Sequence, residues 1–309
     1  MILIHKKNIM DKIKVCILGV GGIGRHHLRS SIEKGFDCIG VDPFSNIEPN
    51  CIWLKSIEGV LDHKVDLFVI STSASLHFEY IKFIEENFFG VKIIVEKPLF
   101  TSRQQYCDFE EILKTSSNDY FINLPFSHNE ILSQTKFKLG RVLTYSSKGT
   151  NWGLTCNLLH DISILSHFTE IKNIKITNIK TLVKAEFESK RKNYFEIYGQ
   201  LSFRAKNIDI SLESYEAKET LKTTKIIFDN GEILIDHDNN IVIKSGGEKI
   251  IDTEFSTPRA SDTTGNVIES IMKNKVTLPY ASDYIDISLK IYENLSSSIS
   301  KKQIEFPFS

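Results

Sequence analysis

The chain has 309 residues, of which 41% are hydrophobic and 25% are charged, and its formal net charge at pH 7 is −1. This composition excludes a disordered chain, and the balanced charge argues against nucleic-acid or membrane-surface partners, because both require a basic excess. No apolar run approaches the roughly 20 residues of a membrane-spanning helix, and Met1–Met10 lacks the apolar core of a signal peptide, so we expect a cytoplasmic protein.

Strand-like and helix-like segments alternate over residues 1–125. Helical periodicity extends from the glycines near residue 22 to about Lys34, and again over Leu76–Phe89. Thr101 and Gln104 predict a capping box at the start of a third helix. The alternation predicts an α/β domain with a parallel sheet covered on both faces. Short apolar runs place its buried strands at Lys12–Leu18, Phe36–Val41, Asp66–Ser71, Val91–Val95 and Tyr120–Leu124.

Residues 126–309 show a different pattern. One apolar helix is predicted near Cys156–Phe168, and a period of two follows, for example over Ile208–Glu213. Asn230-Gly231 and Asn239-Asn240 predict turns between further strands. We therefore expect a second, α+β domain with a large, mostly antiparallel open sheet, and a C-terminal helix at about 282–299 that packs back. A cleft between the two domains is the expected ligand site.

A glycine motif directly follows the first predicted strand. Gly19-Val20-Gly21-Gly22-Ile23-Gly24 has the spacing GxGxxG, in which the glycines permit a tight turn, close approach of a pyrophosphate and close packing of helix on strand. Asp42 ends the second strand, where a carboxylate can accept hydrogen bonds from the adenosine ribose and repels a 2′-phosphate. No arginine follows Asp42, so the motif predicts NAD, with NADP less favoured. The structural alternative is an ordinary glycine turn.

Glu96-Lys97-Pro98 follows another predicted parallel strand. The carboxyl ends of such strands are where open α/β sheets bind ligands, and a lysine there can donate a hydrogen bond to a substrate hydroxyl or carbonyl. The structural alternative is an ion pair on the surface.

With these motifs in this order, the sequence resembles the glucose–fructose oxidoreductase, inositol dehydrogenase and MocA-type family of NAD(P)-dependent oxidoreductases. The resemblance covers nearly the whole chain and implies an N-terminal Rossmann domain and a C-terminal sheet that binds substrate on one face and another subunit on the other. It implies that Glu96 and Lys97 lie beside the nicotinamide. It also implies that Ser71, Thr72 and His77 line the cofactor. Together with the motif residues, the candidates for cofactor binding are Gly19, Gly21, Gly22, Ile23, Gly24, Asp42, Ser71, Thr72, His77, Glu96 and Lys97.

The same resemblance indicates the substrate side of the site. Asn123-Leu124-Pro125-Phe126 resembles the family's Asn-x-Arg-Phe stretch, with proline where arginine is common, and implies that Asn123 contacts substrate. The family carries Asp-x-x-x-His-x-x-Asp on a later helix, and its histidine acts on the substrate hydroxyl. His160 matches that histidine, whereas Cys156 and Ser163 replace the two aspartates.

Two residues near His160 on this helix are also relevant, and His160 itself has a structural alternative. Asn157 shares a helix face with His160 and is expected to hold the substrate or the imidazole. Asp161 points away from that face and replaces neither missing carboxylate. A histidine on an apolar helix is otherwise most often a core residue.

The resulting hypothesis is an NAD-dependent oxidoreductase that transfers a hydride between nicotinamide and a secondary hydroxyl of a sugar, cyclitol or sugar nucleotide. Lys97 and His160 are its catalytic candidates. The alternatives are a hydrolase or lyase that retains NAD and acts by transient oxidation, and a non-catalytic dinucleotide-sensing protein. A homodimer or homotetramer through the C-terminal sheet is expected, because an open apolar sheet face needs covering.

Other conspicuous residues are interpreted as structural. The five cysteines have no paired spacing, so neither disulfides nor a metal site is expected. His26 and His27 are interpreted as surface or packing residues, and Lys190-Arg191-Lys192 as a solvated loop.

Overall fold

The computed structural model describes residues 12–44, 50–135, 138–171, 175–189, 191–275, 278–300 and 304–308. Within these ranges, none of the helices combines the length and the apolar character needed to cross a membrane.

The first domain contains one six-stranded parallel sheet with helices on both faces. Its elements are β1 (Lys14–Leu18), α1 (Gly22–Glu33), β2 (Asp37–Val41), β3 (Cys51–Leu54), β4 (Leu67–Ile70), α2 (Ala74–Asn87), β5 (Lys92–Val95), α3 (Arg103–Leu113) and β6 (Asp119–Ile122). The strand order β3-β2-β1-β4-β5-β6 is that of a doubly wound Rossmann sheet, whose order reverses between β1 and β4. The predicted fold class is confirmed, although the sequence analysis missed β3, a short edge strand.

The third helix begins one residue later than the proposed capping box requires. Ser102 is its N-cap, and the Ser102 hydroxyl accepts a hydrogen bond from the backbone N–H of Gln105. The side-chain oxygen of Gln105 in turn accepts from the N–H of Thr101 at 3.0 Å. The capping prediction with Thr101 and Gln104 was therefore wrong by one position, although the local chemistry is of the predicted kind.

The second domain is built on an eight-stranded sheet in the order β14-β13-β12-β11-β7-β10-β9-β8. All neighbouring strands are antiparallel except β7 and β10. Its strands are β7 (Val142–Thr150), β8 (Ile176–Glu188), β9 (Phe195–Ala205), β10 (Ile208–Tyr215), β11 (Leu221–Phe228), β12 (Gly231–Asp236), β13 (Asn240–Ser245) and β14 (Glu248–Glu254). Helix α4 (Glu130–Thr135) precedes the sheet, and α5 (Leu154–Leu165) packs on its inner face.

The C-terminal segment returns to the first domain. Helix α6 (Ala260–Met272) packs against α1, and its Val267, Ile268 and Ile271 join the same apolar cluster as Val15 and Ile17 of β1. Helix α7 (Ile285–Ser298) contacts both α3 and β8. From the sequence, only the C-terminal helix was expected to pack back, because the polar first half of α6 gives a weak helical pattern.

Candidate active site

The two domains enclose a cleft of about 650 Å³ at the carboxyl ends of the parallel strands. Its position is the one at which doubly wound sheets bind ligands. The first domain lines it with Ile23, Thr72, Glu96, Lys97, Asn123 and Pro125, and the second with Trp152, Gly153, Cys156, Asn157, His160, Glu196 and residues of the β8–β9 hairpin.

The glycine motif forms the tight connection from β1 to α1. Gly19 has a φ of +84°, and a Cβ on Gly24 would lie 1.8 Å from the carbonyl oxygen of Gly19. The Ser71 hydroxyl donates to that same carbonyl at 2.8 Å. Ser71 therefore braces the glycine turn, and no side chain fits at position 24.

The N-terminus of α1 faces open space. Gly21 is its N-cap, and a Cβ built on Gly21 or Gly22 would meet no atom within 4 Å. The first turn of α1 carries no acidic residue. Free N–H groups and the positive end of the helix dipole favour an anion at this point. These residues fit the pyrophosphate of a dinucleotide, as the motif predicts.

Asp42 lies directly after β2, and backbone donors hold its carboxylate. One oxygen accepts from the N–H of Val20 at 2.9 Å, and the other accepts from that of Phe44 at 2.8 Å. The carboxylate is thereby fixed beside the glycine turn, where the ribose of a bound dinucleotide is expected. Residues 45–49, which follow, lie outside the described part of the chain.

Thr72 and His77 have different surroundings. Thr72 lines the cleft, and its buried hydroxyl has no hydrogen-bond partner among the described residues. The imidazole of His77 is 1% exposed, with ring nitrogens 3.0 Å from the carbonyl oxygen of Leu99 and 3.2 Å from that of Thr72. His77 is thus not among the residues that line the cleft. It connects α2 to the segment after β5 instead.

Glu96 is the centre of a buried polar cluster. His27 Nε2 donates to the Glu96 carboxylate at 2.9 Å, and Asn123 Nδ2 donates to the same oxygen. The other ring nitrogen of His27 lies 2.8 Å from the hydroxyl of Thr264 in α6. Burial alone would raise the pKa of Glu96, but His27, Asn123 and the charge of Lys97 lower that pKa to about 2. Glu96 is therefore ionised, and its carboxylate is a fixed negative charge near Lys97.

Lys97 connects the first domain to α5. Its Nζ donates to Cys156 Sγ at 3.1 Å and to Asn157 Oδ1 at 3.2 Å, and Asn157 Nδ2 donates to the carbonyl oxygen of Trp152 at 2.6 Å. Burial opposes the charge of Lys97, yet Cys156, Glu96 and Glu196 outweigh it, so the pKa of Lys97 lies above its ordinary value. Lys97 is therefore protonated, and Asn157 holds the lysine as well as facing the cleft.

His160 lies one helical turn after Asn157 and also lines the cleft. Burial, followed by the charges of Lys97 and Lys222, lowers the pKa of His160 to about 3. The imidazole is consequently neutral at physiological pH. Its buried Nδ1 has no hydrogen-bond partner among the described residues. A neutral histidine beside a charged lysine can accept a proton from a hydroxyl that the lysine polarises.

Glu196, which the sequence analysis missed, supplies a carboxylate to the start of α5. It is 5% exposed and lies on β9, and its two oxygens each accept a backbone N–H at 2.9 Å, from Thr155 and Cys156. Burial raises the pKa of Glu196 in spite of these bonds. The carboxylate that the family carries on the helix is thus absent at position 156, and one from a neighbouring strand approaches the same point.

Asp161 and Ser163 lie away from the cleft. Asp161 is fully buried and pairs with Lys222 at 2.8 Å, and it also accepts from the Tyr145 hydroxyl at 2.9 Å. Ser163 is fully buried against the carbonyl oxygen of Leu124. Asp161 therefore faces the sheet, in agreement with the expectation that it replaces neither carboxylate.

His27 is the second residue whose role the sequence did not reveal. It was interpreted as a surface or packing residue. The side chain is buried, and in addition it forms a hydrogen bond with Glu96. A usable signal existed, because His27 follows Gly24 by three residues and shares its helix face. Glu196 offered no such signal, since its partners are 40 residues away in the chain. No group of three or more potential metal ligands occurs among the described residues.

Comparison with known proteins identifies the type of the first domain and the fold. Residues 13–124 match the model of the family described as "Oxidoreductase family, NAD-binding Rossmann fold". The resemblance seen in the sequence is thereby confirmed over the N-terminal domain. No curated protein matches the sequence.

Solved structures resemble the chain over most of its length. One is an oxidoreductase from Agrobacterium radiobacter in complex with NAD+, L-tartaric acid and magnesium, with a TM-score of 0.73 at 10% identity over 93% of this chain and 96% of that one. UDP-N-acetylglucosamine 3-dehydrogenase from Acidithiobacillus ferrooxidans has a TM-score of 0.70 at 13% identity, covering 91% and 97%. A mutant of Gal80p from Saccharomyces cerevisiae, described as a super-repressor, has a TM-score of 0.70 at 16% identity, over 93% of this chain and 97% of that one. At these identities the likenesses establish the fold.

Proposed function

We propose that this chain, whose N-terminal residues match the oxidoreductase family with an NAD-binding Rossmann fold, is an NAD-dependent oxidoreductase that acts on a secondary hydroxyl of a sugar, cyclitol or sugar nucleotide. The observation that carries the proposal is the convergence of Lys97, Asn157 and His160 in one cleft with the open N-terminus of α1. Glycines 19, 21, 22 and 24, with Asp42 and Thr72, would hold the dinucleotide.

Lys97 and His160 divide the chemistry at the substrate hydroxyl. When bound, a nicotinamide cofactor supplies the acceptor or donor of the hydride. The ammonium of Lys97 donates a hydrogen bond to the substrate oxygen and stabilises the negative charge that develops there during oxidation. His160, neutral and a weak base, accepts the hydroxyl proton once Lys97 has made that hydroxyl more acidic. In the reverse direction His160 returns the proton to the oxygen.

The cofactor preference follows from the charge beside the glycine turn. Asp42 holds a negative carboxylate where the adenosine ribose is expected, so a 2′-phosphate would be repelled. Calorimetric titration should therefore give micromolar binding of NAD and much weaker binding of NADP. If neither binds, and no cofactor is carried through purification, the glycine turn is structural and the proposal fails.

The test of the mechanism is the substitution Lys97→Ala. We expect NADH formation on a responsive sugar to fall by about 10²–10³-fold, the loss typical of removing one electrostatic stabiliser of the transition state, with NAD affinity nearly unchanged. Lys92→Ala is the matched control, because Lys92 lies at the other end of β5 and pairs with Asp119. Turnover at the wild-type rate in the Lys97→Ala protein would contradict the assignment.

A second candidate function is a non-catalytic, dinucleotide-sensing protein. The observation that favours it is the thiol of Cys156 beside Lys97, at the position where the family carries a carboxylate. NAD binding without turnover of any sugar, cyclitol or sugar nucleotide would support this candidate. A third outcome, NAD retained through purification and substrate consumed with no net NADH, would favour a hydrolase or lyase that acts by transient oxidation.

A further inference from the structure

The hairpin of β8 and β9 closes part of the cleft that the proposed chemistry does not use. Backbone bonds fix its turn, since the N–H of Ser189 donates to the carbonyl oxygen of Tyr194 at 2.7 Å and that of Tyr194 donates to Arg191 at 3.1 Å. The N–H of Arg191 donates to the Ser189 hydroxyl at 3.1 Å. The solvated-loop interpretation covered residues 190–192. Of these, Lys190 lies outside the described residues, but Arg191 lines the cleft.

Arg191 lines the cleft together with residues of the first domain, among them Thr72 and Lys97. Its charge reaches His77 of α2, where it acts with burial to lower the pKa of that histidine. Arg191 is exposed and pairs with no carboxylate of the described residues, so its five donors remain available to a ligand.

Two aromatic side chains lie beside Arg191 in the cleft. The rings of Phe187 and Tyr198 are stacked, with centroids 4.5 Å apart and planes at 28°. The Tyr198 hydroxyl donates to Asn151 Oδ1 at 2.8 Å, which fixes the orientation of the pair. A preformed aromatic surface of this kind packs against the apolar face of a sugar or against a planar ring.

The nearest acid in the turn has a structural partner. Glu188 Oε1 accepts a hydrogen bond from the backbone N–H of Asn193 at 2.8 Å, across the turn between β8 and β9. Glu188 therefore closes the turn and forms no ion pair with Arg191. The two remaining acids of the cleft, Glu96 and Glu196, have donors of their own at the Lys97 end.

We propose that Arg191, Phe187 and Tyr198 form a subsite for an anionic group carried by the substrate, a phosphate, diphosphate or carboxylate attached to a sugar. A guanidinium binds such groups through two parallel hydrogen bonds, while the aromatic pair packs against the attached ring. The inference rests on the proposed function, because it names the substrate class of the same cleft.

The experiment compares anionic sugars with their neutral parents by calorimetry, on the full chain with and without saturating NAD. The probes are UDP-N-acetylglucosamine against N-acetylglucosamine, and glucose 1-phosphate and glucuronic acid against glucose. We expect at least one anionic probe to bind ten-fold or more tightly than its parent, and the identity of that probe distinguishes nucleotide, phosphate and carboxylate. The Arg191→Ala protein should bind that probe 10–100-fold more weakly than the wild type, and the Arg191→Lys protein should recover part of the affinity.

Arg204→Ala is the matched control, because Arg204 lies at the far end of β9, the strand that follows the Arg191 turn, and pairs with Asp209. Equal binding of anionic and neutral probes, no binding of any anionic probe, or an Arg191→Ala protein that keeps the preference would each overturn the subsite. NAD binding is read separately in the same titrations. If NAD binds and the charge preference is absent, only the subsite fails, whereas loss of NAD binding with the preference intact refutes the proposed function alone.

Discussion

Lys97 is charged and His160 is neutral although the two side chains share one cleft. Burial disfavours charge on both side chains. Lys97 nevertheless keeps its proton because acidic groups surround it, whereas His160 faces Lys97 and Lys222 and stays neutral. The charged lysine is thus suited to stabilise an alkoxide and the neutral imidazole to take up a proton, which is the division that the proposed reaction needs.

The neutrality of His160 predicts a specific pH dependence of stability. In the folded protein its pKa is about 3, compared with an ordinary value of 6.5. Between these pH values the unfolded chain binds a proton that the folded protein does not. The free energy of unfolding therefore has its full value above pH 6.5 and decreases as the pH falls toward 3. For one such histidine the decrease is about 2 kcal/mol at pH 5. His237, with a pKa of about 4, acts in the same direction.

Urea unfolding at pH 7 and pH 5 measures this effect. The His160→Gln protein should lose less stability between the two pH values than the wild type, by about 2 kcal/mol. His26→Gln is the control, because His26 is exposed on α1 and should leave the pH dependence unchanged. The same pH dependence in wild type and the His160→Gln protein would mean that His160 is not held neutral.

At the scale of single residues, the sequence predicted the cluster of Lys97, Asn157 and His160, because the family resemblance points to Lys97 and His160 and Asn157 shares a helix face with His160. It did not predict the second layer of contacts. His27 meets Glu96 across 69 positions of the chain, and Glu196 meets the start of α5 across 40. Such contacts depend on how elements pack, which no local pattern of side chains specifies.

Among the elements, α5 is the one whose position sets the substrate side of the cleft. It begins after Gly153, which has a φ of +68° and no side-chain cap. The carboxylate of Glu196 takes the place of a cap by accepting the N–H groups of Thr155 and Cys156. A strand of the second sheet thereby holds the helix that presents both Asn157 and His160.

The substitution Glu196→Gln tests this arrangement. One of the two backbone bonds is lost together with the charge, so we expect a loss of about 1–2 kcal/mol of stability. The pKa of Lys97 should also fall, because Glu196 is one of the groups that raise it. The alkaline limb of the kcat/KM profile should then move to lower pH. Since a purely structural role would leave that limb in place, the pH profile distinguishes the two.

Glu248→Gln serves as the control for Glu196→Gln, because Glu248 is an exposed glutamate of β14. It should change neither the unfolding midpoint nor the pH profile. An unaltered profile in the Glu196→Gln protein would leave Glu196 with a capping role alone.

The strands and helices themselves were predictable to different degrees. Continuous apolar runs identified β1, β2, β4, β5 and β6 to within two residues, because buried parallel strands have few polar positions. The Asn230-Gly231 turn was wrong by one residue, since Phe228 pairs with Gly231 and the loop is Asp229-Asn230. The edge strand β3 and the helix α6 were missed, because neither is apolar enough to show a clear period.

On the scale of the whole molecule, the outer face of the second sheet carries exposed apolar residues that pack against nothing in the described part of the chain. Its exposed apolar residues include Leu221 and Ile227 on β11, Leu234 on the adjacent β12, and Leu182 on the edge strand β8. Lys225 and Glu232 form an ion pair on the same face. A surface of this kind, with both charges present, suits pairing with a second copy of itself, so we propose a homodimer or homotetramer through this sheet.

Sedimentation velocity tests this assembly. We expect the wild type to sediment as a dimer or tetramer and the Leu234→Lys protein to shift toward the monomer, because burying an added lysine on this face against a second copy is costly. Phe89→Ser is the control, since Phe89 is 77% exposed but lies on the first domain. A wild-type protein that is monomeric at micromolar concentration would contradict the proposal.

The return of α6 to the first domain has a consequence for the order in which the protein can be completed during synthesis. The apolar cluster around β1 and α1 includes side chains of residues 267–271. While the ribosome is still translating the second sheet, that cluster lacks one of its walls. The nascent first domain must therefore wait, with a hydrophobic face open to chaperones, until nearly all of the chain has emerged.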